Sequence, residues 1–314
     1  MRRAGNPSSI SRSLSILSRT IRSHPSRNVP SPRPSSTAHS APFATTSSSK
    51  PPTLLAAPSH AHLHRNIWSY KKGVSLLLRD SLDPSLPIDT TSPDDPDQHV
   101  CITDHKATVR ERVGNTYFEF PGHAFFQNNN AILVPLTDYV RDAIFPTDAD
   151  ANDKPTHLVD AYCGSGLFSI LLSPHFDTVA GIELSADAIR AATANAELNH
   201  VPKDRCTFLA GDASDIFATV AHFPRTHSAV IVDPPRKGCD AKFIDQLLAF
   251  GARTIVYVSC NVHTQARDVG TIVRRSEEAG QKYVVESLRG FDLFPQTAHV
   301  ESVAVLRMVP KSAS

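Results

Sequence analysis

A chain of 314 residues with 40% hydrophobic side chains can bury one full α/β domain, with a remainder that need not share its core. No apolar run approaches the roughly 18 residues of a membrane-spanning helix. Cys101, Cys163, Cys206, Cys239 and Cys260 are odd in number and lack CxxC or paired Cys/His spacing, which indicates neither a disulfide framework nor a zinc site and fits a reducing, intracellular compartment.

The net charge of +1 conceals an asymmetry: residues 1–79 hold 12 Lys or Arg and no acidic side chain, while residues 80–314 hold 20 basic and 31 acidic side chains, a balance of −11. An acidic module is a poor RNA binder by itself, because phosphate recognition draws on a basic excess. The first 60 residues contain 16 Ser and 9 Pro, so residues 1–66 are predicted to be a disordered basic leader. Within it, Ile10 to Ile21 can form the short basic amphipathic helix of a mitochondrial transit peptide; an unaddressed tail is the equal alternative, which leaves mitochondrial and cytoplasmic or nuclear locations open.

Residues 67–129 read as a partial β-rich preamble: an apolar run Val74 to Leu78, a Pro/Asp-rich loop Asp83 to Gln98, and strands near Val100 to Thr103 and Thr108 to Val113. A helix is predicted over Asn130 to Phe145, where Ile132, Leu133, Leu136, Val140 and Ile144 recur at helical spacing. After Pro155, apolar strands at Leu158 to Ala161, Val179 to Ile182, Thr207 to Ala210, Ala229 to Val232 and Thr254 to Val258 alternate with helical segments, the pattern of a doubly wound parallel sheet. Two further strands, Tyr283 to Leu288 and Ser302 to Met308, are predicted to close it as an antiparallel hairpin. This seven-stranded, mostly parallel α/β sheet within residues 130–314 resembles the Rossmann-like methyltransferase fold.

The first of these strands runs into Asp160-Ala161-Tyr162-Cys163-Gly164-Ser165-Gly166, whose glycines permit a tight turn against a ligand at the carboxyl edge of the sheet. Glu183 ends the next strand 17 residues beyond Gly166, where a carboxylate can accept hydrogen bonds from both ribose hydroxyls of a nucleoside cofactor. The third glycine of a pyrophosphate cradle is missing, which favours S-adenosylmethionine over a dinucleotide. Asp212 can hold the adenine amino group or cap the following helix.

The fourth strand ends in Asp233-Pro234-Pro235-Arg236-Lys237-Gly238. Amino-group methylases place an aromatic residue after a similar motif to stack the target base; Arg236 stands there instead and argues for a different target atom. The fifth strand delivers Cys260 at its carboxyl end, where an accessible thiol can serve as a nucleophile.

Five ordered segments, Phe125-Phe126-Gln127-Asn128-Asn129, Asp160 to Gly166, Asp233 to Gly238, Tyr257 to Asn261 with Ala266-Arg267-Asp268, and Phe294 to Glu301, together resemble the RNA uracil-5-methyltransferase family. The resemblance covers about Tyr70 to Pro310, and Lys72 to Asp80 is similar to the fungal tRNA enzymes that make the T-loop ribothymidine. It implies C5-methylation of a uridine in RNA, with tRNA as the expected substrate, S-adenosylmethionine as cofactor and no metal. It places the nucleophile on Cys260, the general base on Glu301, and cofactor contacts on Gln127, Tyr162, Glu183 and Asp233. Leu167 stands where many bacterial members have Asn, and the Ser/Pro-rich leader stands where family members carry an amino-terminal RNA-binding β-barrel. RNA cytosine-5 methylation is the enzymatic alternative, but its Pro-Cys motif is replaced here by Asp-Pro-Pro-Arg; a non-catalytic RNA-binding or RNA-folding protein is the alternative of another class.

Overall fold

The computed structural model describes residues 77–88, 94–147, 154–211, 216–280 and 282–309. The leader, its candidate helix from Ile10 to Ile21, residues 74–76 of the apolar run and Asp212 lie outside the described residues.

A four-stranded antiparallel sheet comes first, from β1 (Arg79–Leu82), β2 (His99–Ile102), β3 (Thr108–Val113) and β4 (Thr116–Pro121), in the order β2-β1-β3-β4. β1 and β4 are additions to the predicted strands. β1 is the polar stretch Arg-Asp-Ser-Leu, whose Ser81 is buried and whose hydroxyl accepts from the Arg110 backbone N–H at 2.9 Å. Arg110 on β3 is itself buried, ion-paired with Glu119 of β4 at 2.6 Å, and donates to the carbonyls of Asp83, Pro84 and Leu86. Polar residues thus occupy interior positions in β1 and β3 because each is satisfied by a hydrogen bond, and in β1 the apolar alternation that marks a strand in sequence is lost.

The predicted helix is present as a short 3-10 turn at Asn130–Ile132 followed by α1 (Leu133–Ile144). The main sheet follows: β5 (His157–Ala161), α2 (Leu167–Leu172), β6 (Thr178–Glu183), α3 (Ala186–Leu198), β7 (Cys206–Ala210), α4 (Ile216–Thr219), β8 (Ser228–Val232), α5 (Ala241–Phe250), β9 (Thr254–Ser259), α6 (Val262–Glu278), β10 (Lys282–Phe291) and β11 (Glu301–Val309). Its order is β10-β11-β9-β8-β5-β6-β7, with β5 to β9 parallel and β11 inserted antiparallel between β9 and β10.

Every residue of β8 and β9 is buried, as expected for central strands covered on both faces. One face packs against Ile216 and Phe217 of α4, Phe243 and Leu247 of α5, and Ile272 of α6. The other packs against α1 and α2 and, in the same apolar cluster, against Val109, Val113, Phe118, Phe120 and Phe126 of the small sheet and the loop that follows it. Two amides, Asn195 of α3 and Asn199 at its C-cap, satisfy the outer edge of β4. Asn199 accepts from the Tyr117 N–H at 2.9 Å and donates to its carbonyl at 2.6 Å, and Asn195 accepts from the Glu119 N–H at 2.7 Å. They stand where another strand would otherwise supply ladder bonds.

Candidate active site

The site lies at the carboxyl edge of the parallel strands, where the turns after β5, β6, β8 and β9 meet the start of β11. After β5 the chain turns through Tyr162 at φ 64° and Gly166 at φ 90°. A Cβ on Gly166 would stand 3.0 Å from Ile170 Cδ1 and 3.2 Å from Phe208 Cζ, so both conformation and space call for glycine. Tyr162 holds a left-handed conformation with a full side chain, a strain characteristic of ligand sites, and its ring packs 5.4 Å from Phe243. Glu183 accepts from the Gly164 N–H at 3.2 Å and the Ser185 N–H at 3.0 Å, so the proposed ribose acceptor also ties the glycine turn to the start of α3. Asn195 reaches the same turn from behind, donating to Ser165 O at 3.1 Å.

Three carboxyl groups converge at this edge. Asp160 is buried; its Oδ2 accepts from the Ser169 N–H at 2.9 Å and the Ser169 hydroxyl at 2.5 Å, and burial pushes its acid up to about 7 against those bonds. Burial, then the nearby Glu301 and Asp160, holds Asp233 well above the usual carboxylate range. Burial also pushes Glu301, 1% exposed, up to about 7. Among the described residues, the buried side-chain oxygens without a hydrogen-bond partner are Asp160 Oδ1 and Glu301 Oε2. Unpartnered carboxyl oxygens at one sheet edge fit a cationic ligand. Among the described residues no group of three or more His, Cys, Asp or Glu has metal-binding geometry, and no helix is long and apolar enough to cross a membrane.

Cys260 follows the last residue of β9 and is partly exposed. β11 pairs with β9 through Ser302 opposite Ser259, so Glu301 is set against Cys260 one position further on. Gln265 secures this pairing from α6, its Nε2 donating to Tyr257 O and Ser302 O, each at 2.8 Å. Burial and then the Glu301 charge push the Cys260 thiol up, while the nearby Arg236 guanidinium acts the other way. Arg236 is the site residue to which the sequence reading gave no positive role. Its signal was the first of two cations, Arg236 and Lys237, following a strand-end Asp-Pro-Pro, which names no partner until β8 and β9 are placed side by side.

Gln127 lies half-buried in the loop between β4 and α1. Two residues on, the Asn129 amide donates at 3.1 Å to Asp292 O, just beyond Phe291, the β10 partner of Glu301. That bond tethers the Gln127 loop at the Glu301 end of the sheet. Gln127, Tyr162, Glu183, Asp233, Cys260 and Glu301 therefore all belong to turns or strand ends on this side of the molecule.

The strand order with its inserted antiparallel strand, joined to a glycine turn and an acid at the end of the second parallel strand, defines the Rossmann-like methyltransferase class. Within that class, the chain belongs to the tRNA (uracil-5-)-methyltransferase family, which matches residues 98–309. It is 46% identical over 242 residues to the tRNA (uracil(54)-C(5))-methyltransferase of Schizosaccharomyces pombe, covering 77% of this chain and 43% of that protein. Against the Saccharomyces cerevisiae protein of the same name it is 42% identical over 265 residues, covering 77% and 41%. The crystal structure of the Pyrococcus abyssi tRNA (uracil-54, C5)-methyltransferase in complex with S-adenosyl-L-homocysteine superposes with a TM-score of 0.53 at 29% identity, covering 69% of this chain and 48% of that one. The chain thus spans less than half the length of these relatives.

Proposed function

We propose that this chain methylates C5 of a uridine in tRNA with S-adenosylmethionine, through a transient bond between Cys260 and C6 of the base. The observation that carries the reading is the register that sets the Glu301 carboxyl against the Cys260 thiol, beside Asp233 and the glycine turn.

The residues present fit the cofactor. Glu183 would accept from its ribose hydroxyls, Tyr162 and Gln127 would line it, and the neighbouring Asp160 and Asp233 carboxyl groups would suit its positive charges. When bound, S-adenosylmethionine supplies an electrophilic methyl group on a sulfonium. The chain's own residues supply the rest. Uracil C5 is a weak nucleophile until the Cys260 thiolate adds to C6, which moves electron density onto C5 and O4. C5 then forms its bond to the methyl group as the sulfonium–methyl bond breaks, a step that chiefly needs alignment. Glu301, as carboxylate, removes the C5 proton; the C5–C6 double bond re-forms and the C6–S bond breaks, returning the thiolate. The base must leave its stack to reach the thiol.

The test is nucleoside analysis of an unmodified tRNA transcript incubated with the full chain and S-adenosylmethionine. Formation of 5-methyluridine, abolished by Cys260→Ala, is expected. 5-Methylcytidine in its place would transfer the chemistry to the cytosine alternative, and cofactor binding without any methylated nucleoside would favour the non-catalytic one.

A further inference from the structure

The two faces of α6 differ in kind. Gln265, Asp268, Val269, Ile272, Val273 and Ser276 are its buried residues. On the opposite face His263, Arg267 and Arg274 are exposed, four and then seven residues apart, so they stand in one row over about 16 Å of helix. The row begins beside the site, because Asn261, the N-cap of α6, immediately follows Cys260, and it stops where the exposed Glu277 and Glu278 end the helix.

Lys237 joins this row from the loop after β8, which is clamped onto the helix. Arg267 Nη2 donates to Lys237 O and its Nε to Asp268 Oδ1, each at 2.8 Å. The buried Asp268 also accepts through Oδ2 from the Cys239 N–H and the Tyr257 hydroxyl, both at 2.7 Å. The carbonyl of Arg236 accepts from the Asn261 amide at 3.0 Å and from the Thr264 hydroxyl at 3.1 Å. These bonds hold the exposed Lys237 beside Arg267, whose side chain is itself more than half exposed, so two like charges are fixed next to each other. Among the described residues neither Lys237 nor Arg274 forms an ion pair, whereas Arg275, on the flank of α6, pairs with Asp245. This gathering of cations runs against the balance of −11 over residues 80–314. One sign of charge held on one surface draws the opposite sign to it, and a row of cations several ångströms apart matches a phosphodiester strand, whose phosphates follow at about 3.4 Å of duplex axis. Arginine adds the planar fork that grips a phosphate through two donors.

We propose that Lys237, His263, Arg267 and Arg274 form the surface on which the phosphate backbone of the RNA substrate lies, running along α6 away from the base held at Cys260. This rests on the RNA substrate proposed above and adds where the chain holds it: the module is acidic as a whole but not on this face.

The experiment measures binding of an unmodified tRNA transcript to the full chain by fluorescence anisotropy from about 50 to 200 mM salt. Lys237→Gln combined with Arg274→Gln removes two phosphate contacts, so the slope of log K against log salt should fall by about 1.4 to 1.8 and binding at low salt should weaken. Both side chains are exposed, and S-adenosylhomocysteine affinity and Tm should stay as they are in the unaltered chain. Arg190→Gln combined with Lys203→Gln, on and beside α3, removes the same charge and should leave the slope unchanged. An unmoved slope in the first pair of substitutions overturns the proposal, and so do equal falls in the two pairs, which would assign the effect to total charge. An unaltered chain that fails to bind the transcript overturns it as well. The proposed function fails by a different result: an unaltered chain that binds the transcript and makes no 5-methyluridine, with the slope still falling in the first pair, leaves this RNA surface standing.

Discussion

Glu301 and Cys260 face each other one position beyond Ser302 and Ser259, the last paired residues of two antiparallel strands, so a carboxyl group and a thiol 41 residues apart in sequence share one end of the sheet. The two should fail differently. Cys260→Ala should give neither methylated RNA nor a covalent species. Glu301→Gln should permit attack and methyl transfer but stall elimination, leaving methylated RNA bonded to Cys260 as a slow-migrating band on a denaturing gel. The band should vanish when Cys260→Ala is added; its survival there would move the nucleophile elsewhere.

The same carboxyl group makes stability depend on pH with an unusual sign. Glu301 titrates at about 7 in the folded chain, and an unfolded glutamate at about 4.3. Between those values the folded state holds a proton that the unfolded state has released. The contribution is therefore complete below about pH 4 and is lost as pH rises through about 7; Asp160, also pushed to about 7, adds to it in the same direction. Glu301→Gln should raise Tm relative to the unaltered chain at pH 8, by less at pH 5.5, and change it little at pH 4, measured by scanning calorimetry. Equal differences at pH 8 and pH 4 would remove burial of the ionised form as the cause. Methylation should rise over the same range in which stability falls, because the base acts only when ionised.

Glu183 is given two tasks, accepting from a ribose and holding the Gly164 and Ser185 N–H groups. Loss of charge-assisted hydrogen bonds costs about 1.5–3 kcal/mol each, so Glu183→Ala should weaken S-adenosylhomocysteine binding by tenfold or more in a calorimetric titration. Unchanged affinity would remove Glu183 from the cofactor site.

Asn195 and Asn199 cap the same strand, but Asn195 alone of the two also reaches the glycine turn, through Ser165 O. Each buried polar group left unsatisfied costs about 1–3 kcal/mol. Asn195→Leu and Asn199→Leu should both lower the urea midpoint, while only Asn195→Leu should also weaken S-adenosylhomocysteine binding, by about tenfold. Equal cofactor affinity in the two variants would show that the Asn195–Ser165 bond does not shape the turn.

The sequence alone determined the parallel strands after Pro155, the helix before them and the terminal hairpin, because apolar periodicity is a local property and each element carries its own. It also marked Cys260, Glu183 and Asp233 as strand-end residues, and the ordered motifs pointed to the family. It could not show β1, whose interior Ser81 is polar and is satisfied by Arg110 from elsewhere in the chain, nor the closing of the β4 edge by Asn195 and Asn199, although β4 itself buries Tyr117, Phe118 and Phe120, an apolar signal present in the sequence. Nor could it place β11 between β9 and β10, and that insertion is what brings Glu301 to Cys260. Asp268 was visible only as part of a motif, Arg236 only as the residue that was not aromatic, and Asp160 only as the start of a turn. Their roles lie in burial and hydrogen bonding across segments distant in sequence, and these come into existence only when the chain has folded and water has been excluded from between them.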